Sequence, residues 1–152
     1  MEIYGKRVGE YLDIVKTPMV LLIALAIIQF VIRVVGYFLG INIVRLLGWF
    51  MVAASEVVSV LMLLYISWSA VKRRRWNALN TLIAGLLFGF IGGLILALDL
   101  TAGNLVAYIL SAESWTAFKV AAYTGVGLVF IPLIQCVLGG FISGIVGLVL
   151  EK

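Results

Sequence analysis

The chain has 152 residues, of which 64% are hydrophobic and 12% charged. A soluble domain is nearer half apolar and a quarter charged, so water alone cannot solvate this composition and lipid must cover part of it. The net charge of +4 does not form a face: four of the eleven basic residues make one run, Lys72, Arg73, Arg74 and Arg75, between two apolar stretches. That placement argues against a nucleic-acid surface and for a topology signal.

Cys136 is the single cysteine, so no intrachain disulfide can form. Histidine is absent, which argues against haem, histidine-ligated zinc and histidine acid–base chemistry. No cofactor is implied.

Residues 1–16 are polar with scattered apolar positions, and Tyr11, Leu12, Ile14 and Val15 sit at helical spacing. The reading is a short helix on the membrane surface. Thr17-Pro18 reads as a helix start, with Thr17 as cap and proline at the first helical position. The apolar run that follows is long enough to span and lacks a clear small-residue cleavage site, so it is expected to be retained. The first span is placed at 18–39. Gly40, Ile41 and Asn42 then form a link short enough to force an antiparallel hairpin with a second span at 43–71.

The basic run and Trp76 precede a third span at 77–100. Residues 101–114 read as a loop carrying a small apolar patch, Leu105 to Leu110. The last apolar region covers about 35 residues, ~52 Å as a helix against a hydrocarbon core of ~30 Å. It is too short for a hairpin. A long helix over 118–150, kinked near Pro132, is therefore expected.

The expected fold is an all-α integral membrane protein: one transmembrane domain, 1–152, with four helices in an antiparallel bundle. The N-terminal segment, the middle loop and the C-terminus carry eight basic residues, whereas Arg45 and Lys119 stand on the other side. Both termini are thus expected in the cytoplasm, in the plasma membrane. Trp68 and Trp76 flank the inner boundary in this reading, and Trp49 and Trp115 the outer one. The two hairpins do not resemble each other, so an inverted repeat is not supported.

Three features could carry function. The first is a pair of charges inside spans. Arg33 lies fifteen residues after Pro18, about 22 Å in, and Glu56 lies sixteen before Lys72, about 24 Å in. At matching depth on adjacent helices, they are expected to form a salt bridge. Gln29 lies one turn from Arg33, Ser55 and Ser59 flank Glu56, and Gln135 reaches a similar level, so three helices are expected to bring polar groups into one layer. Such a layer is either a structural clamp or a site for an ion or polar solute.

The second feature is glycine. Gly85, Gly89 and Gly93 in the third span, and Gly140 and Gly144 in the fourth, stand four apart. Such strips let two backbones approach closely, within one chain or between copies. The third is the run Lys72 to Arg75, which beyond setting topology can contact anionic headgroups of the inner leaflet. Asp99 is expected at the outer interface in water, and Lys119 as a snorkelling residue.

An enzyme is argued against, because no nucleophile with a base, no metal set and no clustered loop acids are present. A rotor-ring proteolipid is argued against too: the glycines and the acid lie in different spans, and an arginine opposite that acid would keep it ionised. What is left is a non-catalytic structural or interaction subunit meeting lipid, copies of itself or other membrane subunits. The alternative is a small oligomeric channel or transporter built on Arg33, Glu56 and Gln135.

Overall fold

The computed structural model describes residues 2–38, 43–111 and 117–152. It contains four long helices, each long and apolar enough to cross a membrane. The link at 40–42, Trp115, and the side chains of Arg45 and Trp49 lie outside the described residues.

The N-terminus opens with a two-rung hairpin, Glu2–Ile3 (β1) against Lys6–Arg7 (β2), too small to count as a sheet. Its turn uses Tyr4 and Gly5 at φ of 48° and 73°, the pair of positive values that a tight hairpin turn requires. Helix α1 then runs from Val8 to Phe38. The Glu10 carboxylate accepts the Arg7 backbone N–H at 3.0 Å, half of a capping box.

This corrects the expected separate surface helix. Pro18 lies inside α1, not at its start. The cause is packing. Tyr11, Ile14, Val15, Pro18, Met19 and Leu22 are all buried, one continuous helical stripe on both sides of the proline. Close packing of that stripe against the bundle offsets the backbone donor that proline lacks.

Helix α2 covers Ile43–Trp68 and widens into a π turn over Ser69–Arg73. The Arg74 N–H donates to the Ser69 carbonyl at 3.2 Å and the Trp76 N–H to the Ala70 carbonyl at 3.0 Å. Arg75 takes a positive φ of 52° and reverses the chain. Asn77 then caps helix α3, Ala78–Ser111, its side-chain oxygen accepting the Asn80 N–H at 2.9 Å.

Helix α3 continues through Asp99 to Ser111, which corrects the loop expected from 101 onward. Thr101–Ser111 holds no proline and one glycine, so nothing in its local chemistry stops a helix. Helix α4, Ala117–Glu151, carries Pro132 in its interior.

Contacts between α3 and α4 run in opposite order along the two chains: Gly147 meets Ala78, Gly139 meets Gly85 and Pro132 meets Gly93. Contacts between α1 and α3 run in the same order, from Tyr11 with Asn80, through Leu22 with Gly92, to Arg33 with Asp99. The α3–α4 seam is the most extensive in the molecule.

Beside a buried apolar cluster, burial departs from that of a soluble protein. Gln29, Ser55, Ser67, Thr81, Asp99 and Ser143 are inside, while Val31, Val57, Phe130, Val137 and Phe141 are outside. Lipid is as apolar as leucine, so large side chains gain nothing by leaving it, and small or polar ones collect at helix contacts. The chain is an integral membrane protein on this architecture.

A candidate site: the polar cavity among the four helices

Two anchors set the frame. At the end where α1 and α3 begin, the Tyr11 hydroxyl donates to Asn80 Oδ1, and its ring meets Trp76 at 5.0 Å between centroids. Arg74 pairs with Asp13 and lies over the Trp76 ring. Glu151 Oε2 accepts the Ala78 N–H at 3.0 Å, so the end of α4 satisfies the start of α3.

The second anchor is the α3–α4 seam. A side chain at Gly89 would place its Cβ 2.8 Å from the Gln135 carbonyl carbon, and at Gly93 2.6 Å from the Pro132 Cα. Only glycine permits backbones this close. Gly85 stands against Gly139 and Ser143. Gly140 and Gly144 stand instead against the side chains of Leu86 and Leu82, so the backbone of α4 meets α3 at Pro132, Gln135 and Gly139.

Beside this seam lies a cavity of about 40 Å³. That is room for about three or four waters at roughly 10–15 Å³ each. Every helix contributes a polar side chain to its wall: Gln29 from α1, Ser55, Glu56 and Ser59 from α2, Asp99 from α3 and Gln135 from α4. Gly89, Gly92 and Gly93 leave the space open, and Leu22, Leu63 and Phe88 supply apolar wall.

The charges are partnered differently from the sequence expectation. Arg33 pairs with Asp99 and not with Glu56: Nη2 lies 2.9 Å from Asp99 Oδ2, and Nη1 donates to the Asp99 carbonyl at 3.0 Å. Depth does not separate the candidates: from the Arg74–Asp13 contact, Arg33 lies about 30 Å along α1 and Glu56 about 27 Å along α2. The deciding feature is the extension of α3, which holds Asp99 inside the bundle beside Arg33.

Asp99 is likewise corrected from solvated to buried, at 7% exposure. Its Oδ1 is buried and has no hydrogen-bond partner among the described residues. Gly103, one turn on, makes the ion pair possible, because a Cβ there would run into the Arg33 guanidinium. A lone acid amid leucines with a glycine four residues later was the available signal, and it was missed.

Glu56 is held by an amide. Gln135 Nε2 donates to Glu56 Oε1 at 3.0 Å and reaches Oε2 at 3.3 Å. This links α2 to α4 across the cavity. The cavity residues and Arg33 together hold two carboxylates against one guanidinium, so one negative charge is left without an opposite charge.

The basic run is partly engaged. Lys72 Nζ donates to the Leu150 carbonyl at 2.9 Å, and Arg73 lies 5.0 Å over the Trp68 ring. Arg74 belongs to the Asp13 pair, and Arg75 is exposed. Lys119 is exposed near the start of α4.

Comparison with protein-family models, with curated proteins and with solved structures yields no match to this chain.

Proposed function

We propose that this integral membrane protein is a small, non-catalytic solute-handling protein of the channel or transporter class, with its working site at the polar cavity. One observation carries the reading. Glu56 lines an open, mainly apolar space together with polar groups from all four helices, and its partner is a neutral amide, not Arg33. A carboxylate kept only as a clamp would be matched by charge and closed off, since a charge in lipid costs about 2.5–3.5 kcal/mol on insertion scales.

A structural subunit is the second reading, and the Arg33–Asp99 pair favours it. That pair ties α1 to α3 in the manner of a clamp. The two readings differ over whether water enters the cavity.

In this proposal both termini face the cytoplasm of a plasma-membrane protein whose four helices form an antiparallel bundle, as the basic asymmetry supports. Arg73 and Arg75 meet anionic headgroups there. Self-association completes a pathway that a single cavity of this size does not make.

Thiol labelling tests the reading. Ser59→Cys is introduced into a Cys136→Ala background and reconstituted in vesicles, then exposed to a small membrane-impermeant thiol reagent. Labelling at a rate well above that of a lipid-facing control, Val57→Cys, is the expected result. Equal protection of both would leave only the structural reading.

A further inference from the structure

The geometry points to a monovalent-cation site of sodium chemistry in this cavity, with Glu56 as the charged ligand and Asp99 as the second carboxylate. The inference rests on the solute-handling reading and names its solute.

Charge comes first. Arg33 accounts for Asp99, and Gln135 contributes dipole but no charge to Glu56. One positive charge balances the site. A divalent ion would leave an excess of one, and such ions are ordinarily held by more carboxylates or by several retained waters. Among the described residues, no three His, Cys, Asp or Glu side chains gather to supply that denser set.

Ligand type comes second. The polar side chains lining the cavity are carboxylates, amides and hydroxyls, so oxygen is the ligand they offer. Hard cations take such oxygens. The cavity is also small enough for one ion with at most about two or three waters.

The third observation is the orphaned oxygen. Asp99 lines the cavity, is more than nine-tenths buried, and among the described residues keeps Oδ1 without a partner. A buried unpaired acceptor costs about 1–3 kcal/mol and calls for an explanation. A proton on Glu56 would neutralise Glu56 and leave Asp99 Oδ1 as it is. A cation in the cavity serves both carboxylates. Ser59, on the turn after Glu56, adds a hydroxyl from the same helix.

The test is thermal unfolding of the purified full chain in detergent, in sodium chloride against choline chloride at equal total salt. Expected is an unfolding midpoint that rises with sodium and saturates, as for a ligand that binds the folded state alone. Glu56→Gln, which keeps size and can still meet Gln135, stays folded and stops responding. Ser59→Ala raises the half-saturating sodium concentration about three- to tenfold, the loss of one ligand contact.

A wild-type midpoint that is the same in both salts overturns the proposal. So does a sodium response that persists in Glu56→Gln. A midpoint that follows pH but not sodium, and loses that dependence in Glu56→Gln, makes the ligand a proton and overturns the cation while the solute-handling reading stands. Failure of that reading shows separately, as absence of labelling at Ser59→Cys.

Discussion

The α3–α4 seam and the cavity beside it share glycines and have opposite character. Gly89 and Gly93 press against the α4 backbone on one side and border open space on the other. In the seam, the missing side chain allows contact. In the cavity, it leaves room. The lesson is that a small-residue strip in lipid is not a single device, and which role it plays depends on what the third helix presents. Here α2 presents Ser55, Glu56 and Ser59, polar groups that do not fill the space.

The largest expected effect breaks the seam. Gly89→Leu forces a side chain into the Gln135 carbonyl, where rigid backbone cannot give way. Overpacking of this kind costs about 3 kcal/mol or more, and the variant should fail to give a monodisperse peak on size exclusion. Gly9→Leu, where a Cβ meets nothing, is the matched control and should behave as wild type.

Next is the ion pair. Asp99→Asn leaves Arg33 without its countercharge and should lower stability by about 2 kcal/mol, less than a fully buried pair would lose because Arg33 can reach toward the interface. Denaturant titration in mixed micelles measures it. Gly103→Leu should act on the same pair by displacing the guanidinium, so its effect and that of Asp99→Asn should not add.

Tyr11→Phe removes the hydrogen bond to Asn80 but keeps the ring against Trp76, a loss of about 1 kcal/mol in the same titration. The smallest stability effect belongs to the cavity. In choline chloride, where no sodium stabilises the wild type, Glu56→Gln should change stability by no more than about 0.5 kcal/mol, because it removes an unbalanced charge while keeping a partner for Gln135. A loss as large as that of Asp99→Asn would place Glu56 among the clamps and erase the distinction between the two regions.

Much of this architecture is legible in the residues. Length and apolar content placed four spans, because crossing a bilayer demands a long apolar helix whatever surrounds it. The spacing of Gly85, Gly89 and Gly93 marked the face of α3 that approaches α4. Gln135 and Glu56 were assigned to one layer, and they meet. Their relation to Arg33 was not legible, since it depends on where α1 begins and where α3 ends.

That start depends on tertiary packing. Thr17-Pro18 has the local chemistry of a helix start, and only the burial of Tyr11, Ile14 and Val15 against the bundle carries the helix past it. The same dependence hid Asp99. Local sequence placed it at a helix end, and the extension of α3 to Ser111 puts it inside. Helix ends misplaced by ten and eleven residues, at 18 against Val8 and at 100 against Ser111, thus hid the charge partner.

The central claim is that Arg33 belongs to Asp99 and leaves Glu56 without an opposite charge among the described residues. Two double-mutant cycles on unfolding free energy test it directly: Arg33→Met with Asp99→Asn, and Arg33→Met with Glu56→Gln. The account predicts a coupling of about 1–2 kcal/mol in the first cycle and one within about 0.5 kcal/mol of zero in the second. A coupling in the second cycle equal to or larger than that in the first would contradict it.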